Sequence, residues 1–180
     1  MRFERKYGEA IRFLQAQLAQ ADLDSEKKAG YLGDLALTQL NAGDAAGARV
    51  SAEKALNTLE PLYREKPDDP DFTKALSQIY ALMGEKDSAL KLAERAVMLK
   101  PRSKDAASGP KYEESLAVVQ ALVGEKNRAI STLTQLLQTP YFGESYGITP
   151  ITQALLRLDP IWDPLRSDPA FQKLCQEKQH

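Results

Sequence analysis

One phrase occurs three times in the chain: a glycine, an acidic residue and, five positions after the glycine, an alanine. It reads Gly43-Asp44 with Ala48, Gly84-Glu85 with Ala89, and Gly124-Glu125 with Ala129. The first two glycines are 41 residues apart and the last two 40. A leucine stands eight positions before each glycine (Leu35, Leu76, Leu116), followed by a small residue (Ala36, Ser77, Ala117). Seven positions beyond the alanines come Ala55, Ala96 and Leu136. A period of about 40 residues marks a stack of supersecondary units, because no such unit can bury its apolar face alone.

The phrase describes a helical hairpin. After Pro70, the residues Phe72, Leu76, Ile79, Tyr80 and Met83 recur at helical spacing, and Gly84 supplies the left-handed C-cap conformation that other residues resist. A second apolar stripe runs through Ala89, Leu92, Ala93, Ala96 and Leu99, ending at Lys100-Pro101. Its alanines let two helix backbones approach closely.

The middle unit resembles a tetratricopeptide repeat, with Leu76, Ser77, Tyr80, Gly84, Ala89, Ala96 and Pro101 at that family's signature positions. Thr73 replaces the usual early aromatic, and Gln39 and Gln120 replace Tyr80 in the outer units. The period also exceeds the family's usual 34 residues. The first unit spends the surplus on a longer second helix through Leu56, Leu59 and Leu62, kinked or broken at Pro61. The second spends it on the connector PRSKDAASGP, 101–110. The expected fold is all-α: a superhelical array of antiparallel helix hairpins, a tetratricopeptide-like α-solenoid with a C-terminal helical cap. The chain reads as one domain, with a leading helix at 3–22, repeats at 25–67, 69–101 and 110–140, and capping helices at 148–178.

The two ends differ in kind. Tyr7, Ala10, Ile11, Leu14 and Leu18 form a helix with no earlier partner, which reads either as a start in mid-array or as a simple N-terminal cap. At the other end, Thr149-Pro150, Asp159-Pro160, Asp163-Pro164 and Asp168-Pro169 each pair an N-cap oxygen with a proline suited to the first helical position. Short helices should therefore fold back on one another, with Trp162 as their anchor. The stretches 155–174 and 103–110 resemble the repeat-bearing C-terminal regions of large bacterial regulators, in which a kinase, cyclase or DNA-binding domain precedes the repeats. No motif of those domains occurs in this chain. The resemblance implies a bacterial protein and favours the cytoplasm over the periplasm. No secretory signal or membrane-spanning segment is expected, since Glu4, Arg5, Lys6, Glu9 and Arg12 interrupt any apolar start.

Composition narrows the chemistry. Lys+Arg is 24 against Asp+Glu 25, so no basic surplus invites nucleic acid. The one histidine is His180 and the one cysteine Cys175, which leaves no His-Cys zinc site and no internal disulfide. Asp68, Asp69 and Asp71 read as a helix start with Asp69 as its cap rather than a cation loop. No cofactor, metal or catalytic residue is expected, and the chain reads as a non-enzyme. A pocket holding a carboxylate of raised pKa would argue for an all-α enzyme instead.

What remains is binding. In stacked hairpins the first helices line a concave face. Counted from the signature residues, the outward positions are Gly33, Leu37, Leu40 and Asn41 in the first unit. They are Lys74, Gln78, Ala81 and Leu82 in the second, and Lys111, Glu114, Val118 and Leu122 in the third. The lysine and asparagine clamp with which some tetratricopeptide repeats hold a chain-terminal carboxylate is absent. A groove of leucines with a few polar groups suits an amphipathic helix or an extended apolar peptide. The expected partner is a protein or peptide, with a second copy of the chain as the rival. The connector and Tyr141, Phe142 and Tyr146 are further candidate contacts.

Overall fold

The computed structural model describes residues 3–141 and 150–176, and among these the regular structure is entirely helical. A lone helix α1 (Tyr7–Leu18) precedes three hairpins. They are α2 (Ser25–Asn41) with α3 (Ala45–Glu65), α4 (Pro70–Leu82) with α5 (Lys86–Leu99), and α6 (Pro110–Leu122) with α7 (Lys126–Leu136). The chain then forms α8 (Gln153–Leu158), a 3-10 segment (Pro160–Leu165) and α9 (Pro169–Gln176). Each helix from α1 to α7 packs on the next, and α2 touches α4 as α4 touches α6.

The repeated phrase acts as a helix stop three times. Gly43, Gly84 and Gly124 take φ of +84°, +82° and +81°. The following N–H groups, of Asp44, Glu85 and Glu125, reach back to the carbonyls of Gln39, Tyr80 and Gln120 at 2.9, 2.9 and 2.8 Å. This double turn satisfies carbonyls that a helix end leaves unpaired. Asp24, Asp44 and Asp69 then accept backbone N–H bonds at the starts of α2, α3 and α4. The small residues of the phrase are the hairpin contacts: Ala36, Ser77, Ala117, Ala89 and Ala129 are fully buried.

Three apolar clusters follow the stacking order. The first joins α2, α3 and α4 through Leu32, Ala36, Ala52, Leu59, Leu76 and Ile79. A smaller one joins α4, α5 and α6 through Ala81, Ala89, Ala93 and Val119. The largest joins α6 and α7 to the C-terminal segment through Leu133, Leu136, Leu156, Trp162, Leu165 and Phe171.

Several expectations need adjustment. Helix α3 does not break at Pro61 but runs on to Glu65, because Leu59, Leu62 and Tyr63 on either side are packed against the first cluster. The leading helix starts at Tyr7 rather than residue 3. Asp159 and Asp168 begin their elements as expected, accepting from Ile161 N at 3.0 Å and Ala170 N at 2.8 Å. Asp163-Pro164 starts nothing: it lies inside the 3-10 segment, and the Asp163 carboxylate bonds Arg5 and Arg166 instead. Thr149 lies outside the described residues, and the cap of α8 is Thr152. The connector 101–110 is folded: Asp105 accepts from Ser108 N at 2.8 Å, and Arg102 pairs with Glu113 on α6.

Candidate functional site

Helices α2, α4 and α6 share a register. Leu37, Leu82 and Leu122 are each the thirteenth residue of their helix, and Gly33, Gln78 and Val118 each the ninth. All six line one cleft of about 470 Å³. Lys74 lines it too, so seven of the positions counted from the signature residues come together. The walls also include Ala29, Gly30, Ala75 and Ile79, with Leu59 and Phe72 behind them and Ile161 entering from the C-terminal segment.

The cleft is graded along its length. Leu82 and Leu122 end their helices and Leu37 lies one turn before the end of α2, whereas Glu26, Asp71 and Lys111 are each the second residue of theirs. Asp71 receives Lys111 at 3.0 Å and Lys74 at 3.5 Å, which ties α6 to α4 at the polar end. Burial acts to raise the Asp71 carboxyl, but Lys111 and Lys74 outweigh it and hold the group below the ordinary carboxylate range. Beside it, burial and then Asp71 push the Tyr112 hydroxyl up to about 12. Gln78 Nε2 donates to Ser115 Oγ at 2.9 Å, a second polar tie between α4 and α6.

Five counted positions do not line the cleft. Glu114 is fully buried and accepts from the Tyr141 hydroxyl at 2.8 Å, while Ala81 is buried in the α4–α5–α6 cluster. Both were assigned outward from a repeat seen in isolation. Helix α6 is instead covered on most sides, because the 3-10 segment packs directly on it. Leu40 and Asn41 are half-buried at the end of α2, outside the cleft. Lys111 stands at its edge through Asp71. Tyr141 is buried and Phe142 and Tyr146 lie outside the described residues.

Sequence reasoning passed over Glu26, Ala29, Gly30, Asp34, Ala75 and Ile79. All but Glu26 lie one helical turn from counted positions, so extending the register by three or four residues finds them, and Glu26 lies one turn further, seven residues before Gly33. Ile161 carries no such signal, since nothing in the repeat tells where the cap will fold.

Other candidates resolve into packing. Asp69 caps α4, and Asp68 pairs with Arg95 at 2.6 Å. Among the described residues no group of His, Cys, Asp and Glu comes together to hold a metal ion. Cys175 is buried in the cap cluster and burial raises its thiol, so the reactive thiolate is disfavoured. No described helix is long and apolar enough to cross a membrane. Compared with protein-family models, curated proteins and solved structures, the chain matches none.

Proposed function

We propose that this protein is a non-catalytic protein- or peptide-binding module, a tetratricopeptide-like solenoid whose concave cleft takes an apolar segment of its partner. The observation that carries the reading is the shared register. Three helices spaced by the repeat present leucines at one level and Gly33, Gln78 and Val118 at the next, all to one cleft. An apolar floor with a few polar groups at one end is the arrangement by which grooves accept amphipathic or extended peptides. The setting that fits is the interaction region of a bacterial signalling or regulatory protein.

The test is a selection from a phage-displayed library of random peptides, run on wild type and on Gly33→Arg. A Cβ at Gly33 meets nothing within 4 Å, so an arginine can start there without a clash and fill part of the cleft, and circular dichroism checks that the variant keeps its helicity. Apolar-rich peptides enriched on wild type and lost on the variant are expected. No enrichment, or the same peptides on both proteins, would refute the reading.

A further inference from the structure

The C-terminal segment reaches further than an end cap needs to. It covers α6 and α7, but Ile161 also enters the concave cleft, among residues of α2, α4 and α6. Leu37 from the first hairpin and Leu122 from the third both pack against the cluster that contains Ile161. From the other end of the chain, Arg5 donates to both carboxylate oxygens of Asp163, at 2.7 and 2.9 Å across 158 positions of sequence. Asp163 is two residues from Ile161, so the arm before α1 holds the segment that fills the leucine end of the cleft.

The hold is weak by construction. The Arg5 and Asp163 side chains are 49% and 38% exposed, so water and salt screen them. Arg5 also sits at φ +55°, a conformation that disfavours residues other than glycine. The core of the segment is in contrast firmly buried, with Trp162 and Leu165 fully enclosed.

We propose that the Pro160–Leu165 segment is an internal stopper, clasped by Arg5 and Asp163, and that release of the clasp lets Ile161 leave the cleft and uncovers more of Leu37 and Leu122, which already line it, while Trp162 and Leu165 stay enclosed. That the cleft binds a partner rests on the function proposed above, but the movement of the stopper does not. An exposed bidentate pair shifts such an equilibrium by up to about fivefold.

The experiment measures access by thiol labelling in a Cys175→Ala background, with iodoacetamide as the probe. Leu37→Cys reports the stoppered end. Gly30→Cys, where a Cβ meets nothing within 4 Å, reports the cleft away from it. Arg5→Gln should speed labelling of Leu37→Cys two- to fivefold and leave Gly30→Cys unchanged, with the same helicity by circular dichroism. Sodium chloride at about 0.5 M should do the same to the Arg5 protein and nothing more to Arg5→Gln. Unchanged labelling of Leu37→Cys, or equal acceleration at both positions, would overturn the proposal. If labelling responds as expected while the peptide selection fails, the stopper stands and the binding function falls.

Discussion

At the scale of single residues, the glycines separate into groups by what they do. Gly43, Gly84 and Gly124 hold φ above +80°, and a Cβ at any of them meets nothing within 4 Å. Alanine there strains only the backbone, and each substitution should lower stability by about 1 kcal/mol. Gly30 and Gly33 lie inside α2, outside the positive-φ group and with the same open space around a Cβ. Alanine at either should raise stability by about 0.5–1 kcal/mol. Urea unfolding checks both, and equal signs for the two groups would contradict the assignment. Gly109 is different again: its Cβ would stand 2.5 Å from the Asp105 carbonyl oxygen and 2.7 Å from Arg102 Cα, so the folded connector requires glycine there. The Asp163 carboxyl makes a residue-scale prediction about pH. Burial acts to raise it, but Arg5 and Arg166 outweigh burial and leave it below the ordinary value of 3.8. A depressed pKa gives stabilisation that is complete above the unfolded value and lost as pH falls through the folded one. Leu37→Cys labelling should therefore stay constant from pH 8 to pH 5, after correction for the reactivity of the thiol, and the Arg5 bond should fail only in stronger acid.

At the scale of the hairpin, one position shows how three units of one design differ. Gln39 on α2 meets Ser51 on α3, with the amide and hydroxyl 2.6 Å apart. Thr132 Oγ1 on α7 donates to Gln120 on α6 at 3.1 Å. The middle hairpin has Tyr80 and Leu92 at these places, both packed against the α2–α3–α4 cluster. All three pairs are 12 residues apart. The glutamines that weaken the likeness to a tetratricopeptide repeat are thus compensated across the hairpin, each by a hydroxyl. Removing one partner strands the other, which costs more than replacing both. Gln39→Leu and Ser51→Ala should each destabilise, and the double variant should fall short of their sum by about 1 kcal/mol in a double-mutant cycle. Additive losses would mean that the pair does not interact. The spacing was readable beforehand, because a polar pair replacing an apolar pair at a fixed offset is visible in the repeat alone. What hid it was the missing hairpin geometry that makes the twelfth residue a neighbour.

At the scale of the whole molecule, the C-terminal segment decides how much of the cleft between α2, α4 and α6 is left open. Trp162 is fully enclosed in the cluster that joins α6 and α7 to the cap. Trp162→Ala should cost about 3–5 kcal/mol. In stacked repeats the loss should stay near its origin. Hydrogen exchange should accelerate in α6, α7 and the cap while α3 keeps its protection, and a uniform increase would contradict nearest-neighbour stacking. The same segment explains why Glu114 is buried: the third unit is not an open end like an isolated repeat but the most enclosed part of the chain.

The elements and their stops were written in the sequence by local physics. Glycine at a C-cap, aspartate before proline, and alanines at fixed offsets act within one hairpin, so a repeated phrase reveals them three times over. That is why the helices, their order and seven cleft residues were legible. The burial of Glu114, the entry of Ile161 into the cleft and the Arg5–Asp163 bond were not. Each joins segments that no repeat relates, and such contacts depend on how the hairpins and the two ends of the chain pack as a body. That packing is the sum of many contacts between separate elements, and no single residue encodes it.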